Sequence, residues 1–337
     1  MAPLLPHVRE FVLRADDGRF AVETPIVIDV EPTDADDVYL LIGQSNMVGF
    51  SERGAKRAGA GEPDEPHPRV KQLNVRSNSR LLAEDDPEEF VQERERDHSR
   101  FTRAEDPLHR PRRREDEPKG GDASIGPGLS FGKAMLAHTT RDVYLVPGAW
   151  SATGFCANAL GELGWNAEPR AEPWLGGSLL LERALDRLDR TLRETNGVLR
   201  GILWHQGRAD ANNRRCAETY AENLVKMLER LRGEARVDRR GPAARGPRAQ
   251  IPFVVATMSK GYDERGDYRR TTELGRHVDD THRNIAALVP YADFVNTDDL
   301  VPPAHPCGRS SCVHFGATAM REQGERFAEA IRRIVTR

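Results

Sequence analysis

An unbroken apolar run, Val38-Tyr-Leu-Leu-Ile42, stops at Gly43-Gln44-Ser45-Asn46-Met47. Apolar residues in succession, with no polar alternation, are what a strand covered on both faces requires. A Gly followed by Ser and Asn marks a sharp exit from it. Short apolar runs recur at Val143–Pro147, Val198–Trp204, Ile251–Met258 and Phe294–Asn296. Between and after them lie segments of helical spacing: Leu129–Ala137, Leu179–Leu192 with its stripe of Leu181, Leu185, Leu188 and Leu192, Tyr220–Leu231, Thr281–Val289 and Met320–Ile334. This alternation predicts an α/β fold, a three-layer α/β/α sandwich around a mostly parallel sheet.

Residues 1–37 mix apolar and polar positions around Asp16-Asp17-Gly18-Arg19, a hairpin signal, and read as a small N-terminal β extension. Residues 38–337 then form one domain, interrupted at about 51–125 by a polar insertion. Val70, Leu73 and Val75 are the early apolar cluster of that insertion and suit one short strand; Glu84 to Lys119 is a dense mixture of acids and bases. Such a run is a solvated or disordered loop, or else a lid or patch that draws in an acidic substrate.

The 337 residues carry a net charge of −3, which leaves no electrostatic footprint for nucleic acid. No apolar stretch approaches the length of a membrane span, and the first residues lack a signal-peptide pattern. The expected location is therefore the cytoplasm, with secretion open if a leader has been removed. The cysteines, Cys156, Cys216, Cys307 and Cys312, show no paired metal-ligand spacing, so no metal site is expected. Free thiols are the default, and Cys307 and Cys312 are near enough in sequence to bridge.

In a parallel sheet the carboxyl ends of the strands share one edge, where ligands bind. Three of those ends carry polar groups: Ser45, the turn Ser151–Gly154, and His205-Gln206. His314 stands just before the closing helix. Ser45 is either a nucleophile or a helix cap after a buried strand.

Gly43-Gln44-Ser45-Asn46-Met47, Gly126-Pro127-Gly128-Leu129-Ser130-Phe131, Trp204-His205-Gln206-Gly207 and His314-Phe315 follow one another across roughly residues 38–330. In this order they resemble the SGNH-hydrolase superfamily, in its sialate O-acetylesterase-like and acetylxylan-esterase-like branch. The resemblance implies a flavodoxin-like α/β/α fold and hydrolysis of acetyl esters on sugars; the expected partner is a small-molecule or carbohydrate ester, and no cofactor is expected. It implies Ser45 as nucleophile and His314 as the base that removes its proton. The oxyanion donors would be the Ser45 N–H, the Gln206 amide and a group on Ser151 or Ala152. Gln44, Arg208 and His109 are candidates for substrate binding.

Three positions depart from the pattern. Ser151-Ala152-Thr153-Gly154 stands where two glycines usually precede a Thr; Ser311 stands where an Asp usually precedes the His by three; Arg208 stands where Glu is usual. Arg208 either holds an anionic group of the substrate or pairs on the surface. The acid that orients His314 is then Asp298, Asp299 or Asp210, or is replaced by Ser311 or a backbone carbonyl. The remaining alternatives are a non-catalytic ester- or glycan-binding protein and an O-acyltransferase.

Overall fold

A computed structural model describes residues 35–51, 56–74, 101–109, 124–157, 163–169, 172–195, 197–235, 251–260, 262–263, 266–267, 272–300 and 313–337. The strands are β1 (Asp36–Gly43), β2 (Val70–Leu73), β3 (Phe101–Arg103), β4 (Val143–Pro147), β5 (Gly197–His205), β6 (Phe253–Ala256), β7 (Tyr262–Asp263), β8 (Gly266–Asp267) and β9 (Ala292–Val295). The helices are α1 (Ser45–Val48), α2 (Gly128–Met135), α3 (Leu179–Glu194), α4 (Arg214–Glu218), α5 (Tyr220–Glu234), α6 (Glu273–Arg283), α7 (Ile285–Leu288) and α8 (Ala317–Val335).

Seven strands form one sheet in the order β3-β2-β4-β1-β5-β6-β9. All neighbours are parallel except β3, which runs antiparallel to β2 at the edge. The first apolar run is thus the central strand. Its alternate side chains serve two cores. Val38, Leu40 and Ile42 pack with Leu181 and Leu188 of α3 and Leu224, Leu228 and Leu231 of α5. Tyr39 and Leu41 pack on the other face with Leu129, Phe131 and Met135 of α2 and Phe327, Ile331 and Ile334 of α8. Each such aliphatic side chain contributes roughly 1.5–3 kcal/mol on full burial. The expected three-layer α/β fold is the one observed.

Several details differ from the sequence reading. The boundary set between residues 37 and 38 falls inside β1, and the hairpin signal at 16–19 lies outside the described residues. The expected strand around Val70 is present, but the charged insertion also supplies β3. Phe101 of β3 packs edge-on to Tyr144 with ring centroids 5.2 Å apart, which anchors three residues too few to show a pattern in sequence. The helix expected from Thr281 begins earlier, at Glu273, because the Thr272 side chain caps it by accepting the Gly275 N–H at 3.0 Å. No described helix is long and apolar enough to cross a membrane.

Candidate active site

The register of the central strands assembles the site. Gly43 pairs with His205, and Leu41 with Pro147, so β4, β1 and β5 end side by side. Gly43 has φ +132°, and a β-carbon there would collide with the His205 backbone. A residue without a side chain is therefore needed for the chain to leave β1 this close to β5. The chain turns at once into α1, whose first residue is Ser45. Ser45 is 8% exposed and lines a cleft with Gln44, Asn46, Gly207, Arg208 and Ser259. The Ser45 N–H and hydroxyl have no hydrogen-bond partner among the described residues.

Two further strand ends meet this one. Gln44 N–H donates to the His205 carbonyl at 2.9 Å, and Trp150 N–H donates to the Gly43 carbonyl at 3.0 Å. The second bond places the turn after β4 beside the exit of β1. Ala152 in that turn is left-handed, at φ 58°, and exposed; Ser151 is half-buried. Neither is among the residues that line the cleft.

Gln206 has a different job from the oxyanion donor expected of it. Its Nε2 donates both hydrogens away, to the Thr153 carbonyl at 3.0 Å and to Asp210 Oδ2 at 2.7 Å. With both donors committed, the side chain braces the turn after β4 against the segment after β5. Asp210 is fully buried, and its Oδ1 also accepts the Phe155 and Cys156 N–H groups, both at 3.0 Å. Burial raises its pKa to about 6, against the hydrogen bonds, which lower it. Gly154 lies against this carboxylate, where a β-carbon would overlap it. Asp210 therefore anchors the turn after β4 to the segment after β5, and among the described residues it is not a partner of His314.

A disulfide joins Cys156 to Cys216, with Cα atoms 5.8 Å apart. The free-thiol default does not hold for these two, because the turn after β4 and α4 after β5 meet across the end of β1, the strand between them. The separation of 60 residues hides that meeting in the sequence. Cys307 and Cys312 lie outside the described residues. Cys156, Cys216 and Asp210 are close enough to hold a metal ion, but the sulfurs are bonded together and the carboxylate already accepts three donors.

His314 lies between β9 and α8, and its neighbour Val313, not His314 itself, is among the residues that line the cleft. The Asn46 side chain donates to the Val313 carbonyl at 2.9 Å and accepts the Phe315 N–H at 3.3 Å. The ring stacks on Phe50, with centroids 5.3 Å apart and planes 23° from parallel. Burial, helped by the Arg208 charge, lowers the His314 pKa to about 4. The imidazole is thus neutral near pH 7 and able to take up a proton.

The acids proposed for it are placed elsewhere. Asp298 pairs with Arg283 at 2.7 Å and Asp299 with Arg326 at 2.5 Å. Among the described residues no carboxylate bonds the His314 ring; Ser311 lies outside them. Of the candidate substrate contacts, Gln44 and Arg208 line the cleft. His109 does not: it is 1% exposed, and burial lowers its pKa to about 3. His205 packs under Gln206 as a buried neutral ring, its Nδ1 2.6 Å from Gln323 Nε2 and its pKa lowered to about 3 by burial.

Sequence reasoning missed Asn46, Ser259, Phe50 and the role of Asp210. Asn46 lay inside the first motif; the others carry no local signal.

Comparison with known proteins agrees with this architecture. A probable carbohydrate esterase of Arabidopsis thaliana is 28% identical over 136 residues, 40% of this chain and 44% of that relative. The matched stretch is thus less than half the relative's length. The crystal structure of the same plant protein superposes with a TM-score of 0.56 at 18% identity, covering 89% of this chain and 98% of the other. NanS superposes at 0.59 with 15% identity over 90% and 98% of the two chains. A carbohydrate acetylesterase from Xanthomonas citri does so at 0.53 with 18% identity over 89% and 56%. At these identities the likeness shows the fold. Residues 35–333 match the family described as carbohydrate esterase, sialic acid-specific acetylesterase, and the chain belongs to that family.

Proposed function

We propose that this protein is a serine esterase that removes O-acetyl groups from a carbohydrate, with Ser45 as nucleophile and His314 as general base. The observation that carries the proposal is the Asn46 clasp, which ties the backbone on both sides of His314 to the residue next to Ser45. His314 takes the Ser45 hydroxyl proton as Oγ attacks the acetyl carbonyl. The negative oxygen that forms is met by the Ser45 N–H, which has no partner among the described residues. Collapse breaks the ester bond, and His314 returns the proton to the departing sugar oxygen. Water, deprotonated by the same ring, then releases acetate from Ser45. Arg208 is suited to hold a planar anionic group of the substrate at the cleft wall.

A binding-only reading is favoured by one observation, the absence of a carboxylate on His314 among the described residues. Loss of a triad acid can lower the rate by ~10⁴ without abolishing it. Labelling separates the two readings. Incubation with diethyl p-nitrophenyl phosphate is expected to add one diethylphosphoryl group per chain, located on the Ser45 peptide by mass spectrometry. An unlabelled chain after prolonged incubation supports binding without turnover.

The lowered pKa of His314 sets a pH dependence. The base must be neutral, so kcat/KM for p-nitrophenyl acetate stays high below the ordinary imidazole range and falls only as pH approaches about 4. Arg208→Gln removes a positive charge that disfavours the imidazolium. Its acid limb is therefore expected at higher pH than that of the parent, as read from parallel pH–rate profiles.

A further inference from the structure

Among the described residues, four groups hold the turn that carries His314. The Asn46 amide bonds both flanking residues, donating to the Val313 carbonyl at 2.9 Å and accepting the Phe315 N–H at 3.3 Å. The Ser259 hydroxyl donates to the same Val313 carbonyl at 2.7 Å. Phe50 stacks on the imidazole, and Phe315 is buried against Ile125, Leu300 and Met320. Asn46 is 5% exposed, and both ends of its amide are used in spanning His314. Two of the four groups, Asn46 and Phe50, come from the stretch that presents Ser45. The placement of the base relative to the nucleophile is thus set largely within residues 45–50 and across one amide.

We infer that Asn46 is a positioning residue which, through the backbone at 313 and 315, performs the orienting task that a carboxylate on the His314 ring would perform. An acid also stabilises the imidazolium electrostatically; a neutral amide bonded to the backbone does not. Orientation is supplied without raising the basicity of the ring, which fits the low pKa of His314. The inference rests on the Ser45–His314 reading above.

The test uses the full chain and p-nitrophenyl acetate. Asn46→Ala is expected to lower kcat on the order of 10²-fold, the effect of a displaced reacting group, with KM within about threefold of the parent. The rate of labelling by diethyl p-nitrophenyl phosphate falls in parallel. Asn46→Asp keeps the acceptor for Phe315 N–H, loses the donor to Val313 and adds a negative charge near the imidazole. Its acid limb therefore moves to higher pH, which loss of folded protein alone does not produce. Ser259→Ala removes one of the two side-chain donors to the Val313 carbonyl and is expected to lower kcat less, by roughly tenfold or below. This variant decides the matter if Asn46→Ala does not fold. Parental kcat in folded Asn46→Ala overturns the inference. So does parental kcat in Ser259→Ala where Asn46→Ala cannot be obtained folded, or an unmoved limb in Asn46→Asp. If Ser45→Ala retains activity, the underlying esterase reading fails instead.

Discussion

Ser45→Ala is expected to lower hydrolysis of p-nitrophenyl acetate by about 10⁴-fold or more, to the level left by the cleft and its backbone donors. The size follows from the chemistry: without Oγ there is no acyl-enzyme, and His314 is left to activate water that no group has been shown to position. Folding should be almost untouched. The hydroxyl has no partner among the described residues, and deleting one oxygen at a site 8% exposed creates little cavity. The melting temperature is expected within about 2 °C of the parent, since deleting one oxygen that makes no bond among the described residues changes stability by about 0.5 kcal/mol or less. Stoichiometric labelling by the organophosphate should vanish with the activity. Full turnover in Ser45→Ala would remove the serine-esterase reading.

The second large effect belongs to Asp210. Asp210→Ala leaves the Phe155 N–H, the Cys156 N–H and one Gln206 amide hydrogen without their acceptor in a fully buried setting. At about 1–3 kcal/mol for each unsatisfied group, the loss is on the order of 3 kcal/mol or more. Gln206 then no longer braces the turn after β4. Gln206 lines the cleft, and a shift of that wall by about 1 Å is expected to lower kcat by about 10²-fold. Thermal melting and steady-state kinetics on the same preparation separate the two losses.

The pH dependence of the Asp210→Ala deficit has a fixed sign. In the folded protein burial raises the Asp210 pKa from 3.8 to about 6. Its protonated form is therefore favoured by folding below the unfolded value, and that contribution is lost as pH rises through about 6. The difference in stability between parent and Asp210→Ala should accordingly narrow from about pH 4 to pH 6. A widening gap over that window would mean that the hydrogen bonds outweigh burial.

The central architecture was legible because strands buried on both faces must be apolar throughout, and β1, β4 and β5 are. Their polar exits must share an edge, which brings Ser45, the 151–154 turn and Gln206 together from the sequence pattern alone. The helix α6 was misplaced because Leu274 and Val278 are too sparse a stripe among Glu273, Arg276, Asp279 and Asp280. Strand β3 escaped because three residues cannot display a period. At the site, the residue types were readable and their bonds were not. Gln206 looked like a donor to the substrate, and only its distances to Thr153 and Asp210 show it as a brace. Asp298 and Asp299 were plausible by nearness to His314 in sequence, yet each faces an arginine on a neighbouring helix. The pairing of Cys156 with Cys216, like the clasp of Asn46 across more than 260 residues, depends on which strand ends become neighbours.

The Cys156–Cys216 bond has a consequence for the chain before it folds. The residues it encloses include all of α3 and β5, that is, the complete crossover from the end of β4 to the strand beside β1. A covalent loop of 60 residues removes conformations from the unfolded ensemble, worth about 4 kcal/mol in the chain-entropy account. In that account the bond favours the whole fold through an entropy already withdrawn from the unfolded chain, in addition to the native bonds of Asp210 and Gln206 at the turn after β4.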